Sequence, residues 1–183
     1  MSPSQLLGRL SFLLGCNWLR RVLVLCGCLL LAIVTGTSGC RQNARPAMPA
    51  FDILLADSST MLSSKAIPEG NPVVLVYFSP DCEHCQHETA NILRKMDSLK
   101  DVRFYFITTD PFERLRVFRQ YYHLSKYRNV VLGEDYRFSF FNKLKPAGTP
   151  ITFIYDRSKR LKAVISGETE IGKIISLLKI FAP

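Results

Sequence analysis

Apolar positions along the chain change spacing several times, and each change marks an element. Residues 73–78 form an unbroken apolar, β-branched and aromatic run between Pro72 and Pro80, which predicts a strand buried on both faces. From Cys82 the spacing turns helical, with Ile92, Leu93, Met96 and Leu99 on one side, so this strand feeds directly into a helix. Residues 102–107 predict a second strand. Asp110-Pro111-Phe112-Glu113 then offers an N-cap, a proline at the first helical position and a glutamate to close a capping box, opening a helix with Phe112, Leu115, Phe118 and Tyr122 inward. Upstream, residues 51–55 and the stretch around Met61 and Leu62, joined through Asp57-Ser58-Ser59, predict a short hairpin. Downstream come a short strand at 129–132, a Phe-rich helix at 135–144, and two strands, 151–155 and 161–165, joined by Asp156-Arg157-Ser158-Lys159-Arg160. The last helix is expected from Glu168, with Ile171, Ile174, Ile175 and Leu178 at helical spacing, acids Glu168 and Glu170 at its start and Lys173 and Lys179 toward its end, as the helix dipole favours. The order β-β-β-α-β-α-β-α-β-β-α predicts an α/β domain with a mixed central sheet and helices on both faces.

The first forty residues follow a different rule. Arg9, Arg20 and Arg21 are their only charges, and an apolar run at 22–34 follows, the pattern of an export signal. That run is short for a helix crossing roughly 30 Å of hydrocarbon, which takes about twenty residues. Thr37-Ser38-Gly39-Cys40 resembles the processing site of a bacterial lipoprotein, with Cys40 as the lipidated N-terminus, although Thr37 stands where that pattern has an aliphatic residue. An uncleaved signal anchor and an ordinary cleaved signal are the competing readings; all three put the folded part outside the cytoplasm. The expected division is a signal at 1–39, a polar, proline-bearing tether at 40–49 and one domain at 50–183. Removing the three arginines of the signal from the net charge of +9 leaves +6, spread along the chain with no basic stripe, so no nucleic-acid partner is expected.

Cysteine placement carries the chemistry. Cys16, Cys26 and Cys28 lie in or before the apolar core of the signal, and Cys40 at its end, which leaves Cys82 and Cys85. A bridge between these two closes a loop too short to stabilise much, so the pair is chemical rather than structural. At the junction of strand and helix the first cysteine meets unpaired backbone N–H groups, which favour an anion. Since the thiolate is the attacking species, Cys82 is the expected nucleophile, and Cys85, one helical turn on, the resolving thiol. The same spacing supplies half of many zinc sites, and His84 and His87 beside the thiols raise a copper or zinc module as the alternative, with His123 the only other histidine. A thiol peroxidase is disfavoured, because the proline and Thr or Ser that usually precede a single peroxidatic cysteine do not surround Cys82. The chemistry calls for no cofactor.

Residues 51–62, the run Val73-Val74-Leu75-Val76-Tyr77-Phe78-Ser79-Pro80-Asp81-Cys82-Glu83-His84-Cys85-Gln86-His87-Glu88, and Gly148-Thr149-Pro150 together resemble the TlpA/ResA branch of thioredoxin-like proteins. The resemblance spans nearly all of residues 50–183. It implies a thioredoxin-like fold with an N-terminal β-hairpin extension, attachment outside the cytoplasm, a membrane electron donor and client proteins with disulfides, in some members during cytochrome c maturation. It also implies a cis bond before Pro150, opposite the redox pair, with the Thr149 backbone placed to pair with an extended client strand. Glu88 matches a carboxylate near the active site of ResA-like proteins, which can exchange protons with Cys85. Two positions depart from the pattern: Asp81 stands where thioredoxins usually carry Trp, and Val76 where they carry a buried acid. His84, if protonated, stabilises the Cys82 thiolate and makes the pair more oxidising, while Asp81 and Glu83 push the opposite way. A reductant is expected from the anchored relatives, with a DsbA-like oxidant as its alternative.

Overall fold

Residues 73–77 carry five apolar side chains in a row because both faces of their strand are covered. In the computed structural model, which describes residues 45–57 and 59–180, this is the third of seven strands. In chain order the elements are β1 (Asp52–Leu55), β2 (Met61–Ser63), β3 (Val73–Tyr77), α1 (Glu83–Arg94), β4 (Arg103–Thr108), α2 (Phe112–Tyr121), β5 (Val130–Glu134), α3 (Ser139–Leu144), β6 (Ile151–Tyr155), β7 (Leu161–Ser166) and α4 (Ile171–Ile180). This is the predicted order, element for element. One mixed sheet runs β2-β1-β5-β4-β3-β6-β7, with β3, β4 and β5 parallel and the other pairings antiparallel.

Alternation along β3 divides the core. Val74, Val76 and Phe78 face one layer, shared with Ile92 of α1, Leu115 and Phe118 of α2 and Ile174 of α4. Val73, Leu75 and Tyr77 face the other, with Phe51, Ile53 and Phe140 of α3. Where β1 crosses β5, Gly133 leaves room for Ile53; a Cβ there would stand 2.7 Å from the Ile53 Cδ1.

Several boundaries differ from the expectation. Helix α1 stops at Arg94, and Met96 and Leu99 are buried from a 3-10 turn, Met96–Leu99, rather than from the same helix. Pro111 takes the N-cap position of α2, one residue later than expected, so no capping box forms. The Asp110 carboxylate accepts instead from the Thr108 hydroxyl (3.0 Å) and lies 3.4 Å from Arg114. Asp135 caps α3 from outside it: its fully buried carboxylate accepts the Phe140 and Phe141 amides at 3.0 and 2.8 Å. Helix α4 starts at Ile171, because the chain first turns at Gly167 (φ +79°), which leaves Glu168 and Glu170 ahead of the helix. The end of the expected tether is also ordered. Leu161 N–H donates to the Pro46 carbonyl and Met48 N–H to that of Lys159, both at 2.9 Å, so the packed part begins by Pro46. The export segment and Cys40 lie outside the described residues. Among the described residues no helix is long and apolar enough to cross a membrane.

Candidate active site

Cys82 occupies the N-cap of α1 with an extended backbone (φ −81°, ψ 116°). Its carbonyl accepts the Gln86 amide at 3.0 Å, the first bond of the helix. At this position Ser, Asp or Asn usually turns a side-chain oxygen onto the amides of the next turn. Cys82 puts sulfur there. The sulfur makes no cap hydrogen bond of standard geometry, yet the His84 and Cys85 amides face it. Burial alone would push this thiol up, but hydrogen bonds from the Cys85 thiol and amide, the Thr149 hydroxyl and the His84 amide outweigh it and bring Cys82 below its ordinary 9.0.

Cys85 belongs to the dry stripe of the helix. Cys85, Glu88, Thr89 and Ile92 are its buried residues, spaced i, i+3, i+4 and i+7. Burial, reinforced by the neighbouring Cys82 sulfur, pushes the Cys85 thiol up to about 12. Cys82 is half-buried, Cys85 is 1% exposed, and both are free thiols. The arrangement suits two different tasks, attack from the outer sulfur and delayed attack from the inner one.

The resemblance placed Thr149, Pro150 and Glu88 around the pair, and all three lie near it. The Thr149–Pro150 bond is cis, and the Thr149 carbonyl stands 3.8 Å from the Cys82 sulfur. Glu88 is 1% exposed, and its Oε1 accepts from the Thr152 hydroxyl of β6 at 2.7 Å. Its Oε2 is buried with no hydrogen-bond partner among the described residues, although the Thr169 amide faces the carboxylate. Burial raises the Glu88 pKa above its ordinary 4.5, and the charge of Glu168 adds to this, against the Thr152 hydroxyl and the Thr169 amide.

The residues expected to tune the thiol face elsewhere. His84 Nδ1 lies 2.8 Å from Glu168 Oε2, and His87 Nδ1 lies 3.7 Å from Oε1 of the same carboxylate. Glu83 is exposed, 3.9 Å from His87 Nε2, and Asp81 pairs with Arg114 at 2.6 Å. So the donors that lower Cys82 are amides, a thiol and a hydroxyl, not the His84 ring. Beside this rim, a cavity of about 550 Å³ opens between Pro80, Asp81 and Gln86 and the Val117, Tyr121 and Tyr122 side of α2. His123 is exposed just after α2, in the left-handed region (φ 50°). Among the described residues no group of three or more His, Cys, Asp or Glu side chains is arranged to hold a metal ion. As site residues, Thr152, Glu168 and Thr169 escaped the reading of the sequence, which placed Glu168 only at a helix start. Only their proximity in space to α1 marks them.

No protein-family model matches the sequence, and no curated protein does. Solved structures do. Peroxidoxin BcpB from Mycobacterium tuberculosis superposes with a TM-score of 0.65 at 16% identity, over 76% of this chain and 98% of its own. The fold is thioredoxin-like. A secreted Mycobacterium tuberculosis disulfide oxidoreductase homologous to E. coli DsbE matches with a TM-score of 0.60 at 16% identity, covering 71% of this chain and 95% of its own. MTB dsbF, solved in mixed oxidized and reduced forms, gives 0.62 at 17% identity over 72% and 95%. At these identities the likeness is one of fold. In this thioredoxin-like frame, Cys82 and Cys85 sit where the central strand β3 hands over to α1.

Proposed function

We propose that this chain is a thiol-disulfide oxidoreductase of the TlpA/ResA kind, held at a membrane outside the cytoplasm, that reduces protein disulfides. One observation carries the reading. Two sulfurs one helical turn apart are made unequal, the outer one half-buried with a lowered pKa and the inner one buried and raised to about 12. The Cys82 thiolate attacks a client disulfide, forming a mixed disulfide and releasing one client thiolate. Cys85 then loses its proton and attacks the Cys82 sulfur. The second client thiolate leaves and takes up a proton, and a Cys82–Cys85 disulfide remains. Two electrons have passed to the client, and a membrane dithiol donor returns them. A neighbour described as a secreted disulfide oxidoreductase supports both this chemistry and the compartment.

Reduction rather than oxidation is supported by the His84 ring. A cation beside Cys82 would favour the thiolate and an oxidising pair, but the imidazole is turned to Glu168. The Arg-flanked apolar run and Cys40 support attachment through a lipid on Cys40. Cytochrome c maturation is a setting in which such a reductant would serve.

Equilibrating the protein in graded thiol buffers tests the reaction. A single two-electron transition well below the DsbA value of about −120 mV is expected. A potential as high as that would make the protein an oxidant, and the absence of any reversible transition would remove the redox reading. In cells, Cys85→Ser leaves the Cys82 mixed disulfide unresolved, so the attached client can be identified by mass. Radiolabelled palmitate is expected on the wild type and absent from Cys40→Ala.

A further inference from the structure

The buried carboxylate under the redox pair is held by one hydroxyl. Glu88 lies in the core stripe of α1, one turn beyond Cys85 on the same face. Its Oε1 accepts from Thr152, itself 1% exposed, and its Oε2 is buried without a hydrogen-bond partner among the described residues. A buried polar oxygen left unpaired is costly, most of all when it carries charge. The two oxygens are therefore unequal: one is committed to Thr152, and the other gains most from a proton.

We propose that Thr152 is a positioning residue for the redox reaction, fixing Glu88 so that Oε2 is the atom that takes the Cys85 proton during resolution and gives it back on reduction. The proposal rests on the oxidoreductase reading and names the proton's address within it. In the resolving step the Cys85 S–H bond breaks, the proton moves to Glu88 Oε2, and the sulfur attacks Cys82. The Cys82–client S–S bond breaks, and the client thiolate takes its proton from water. The client disulfide is the oxidant and the dithiol the reductant, so electrons and protons balance. A thiol near 12 gives its proton poorly to an ordinary carboxylate, and the upward shift of Glu88 narrows that gap. The groups facing this carboxyl are the Thr152 hydroxyl of β6 and the Thr169 amide and Glu168 charge ahead of α4, and Cys85 lies one turn back on the same buried stripe of α1. Of these, only Thr152 makes a well-formed hydrogen bond to it.

Removing the hydroxyl withdraws a donor that favours the ionised acid, so Glu88 stays protonated to higher pH. The test follows the resolving step by stopped flow, as release of coloured thionitrobenzoate from the Cys82 mixed disulfide formed with dithiobis(nitrobenzoate). In Thr152→Val the pH midpoint of release is expected to rise by about one unit, the scale of one hydrogen bond to a charged group. Thr152→Ser is expected to restore the wild-type profile, and Thr152→Val added to Glu88→Gln to leave that variant's profile unchanged. Should Thr152→Val fold poorly, Thr152→Ala is followed by infrared difference spectroscopy on oxidation. A protonated carboxyl band that is absent in Glu88→Gln is expected to change position in Thr152→Ala. Overlapping wild-type and Thr152→Val profiles, an equal shift in the Glu88→Gln background, or an unmoved carboxyl band would overturn the proposal. A wild-type protein with no reversible redox couple would instead sink the oxidoreductase reading.

Discussion

Helix α1 has a wet face and a dry one, and the two cysteines at its start are split between them. Glu83, His84 and His87 stand in solvent, in polar contact with one another or with Glu168. Cys85, Glu88, Thr89 and Ile92 face the core. Cys82 sits at the end where the two faces meet, half-exposed over the first amides of the helix. The same functional group, a thiol, is thus lowered at one position and raised to about 12 one turn later. Position relative to solvent and helix terminus, not residue type, sets the two sulfurs apart.

The sharpest way to break this contrast is to ask the thiols directly. Brief treatment of the reduced protein with iodoacetamide near neutral pH is expected to alkylate Cys82 and to leave Cys85 largely unlabelled, since the outer thiol is lowered and half-exposed while the inner one is raised and buried. Peptide mapping that finds both labelled at similar rates would erase the distinction.

Next in size is the packing contrast along the helix. Ile92, fully buried, is expected to cost about 2–5 kcal/mol when cut to Ala, whereas His87→Ala on the wet face should stay within about 0.5 kcal/mol. Urea unfolding of both variants measures the pair; equal losses would mean that α1 is not seated as described.

The smallest effect concerns Glu88 and pH. Burial lifts its folded pKa above the unfolded value near 4.5, so the protonated form stabilises the fold. That contribution is complete below the unfolded value and is lost as pH rises through the raised folded one. Glu88→Gln is therefore expected to melt at a temperature close to wild type near pH 4 and a few degrees higher at pH 8, since one kcal/mol is worth about 2–8 °C in domains of this range. A variant that loses stability at pH 8 would show that the ionised carboxylate is paired rather than isolated.

Much of this was legible residue by residue. The unbroken run at 73–78 announced a strand covered on both sides, and the helical spacing after Cys82 announced a helix that starts at the two cysteines. Other local signals misled. Asp110-Pro111-Phe112-Glu113 has the letters of a capping box, but the Thr108 hydroxyl and Arg114 claim the Asp110 carboxylate, and the helix begins a residue later. The polar stretch before residue 50 looked like a free tether, yet its last residues pair with the β6–β7 turn, an interaction no local pattern encodes. His84 was expected to act on Cys82, and its ring instead meets an acid 84 residues away.

By itself, the sequence determined the order of the elements, the alternation that splits the core, and the presence of two cysteines at the start of a helix. These depend on near neighbours, because backbone periodicity and helix termini repeat over a few residues. Only the tertiary structure decided which sulfur would be dry, that Thr152, 64 residues from Glu88 in the chain, would hold its carboxyl, and that Glu168 would draw off the histidine between the thiols. Desolvation and hydrogen bonding belong to whatever surrounds a group after folding, and here those surroundings come from strands and loops remote in the chain.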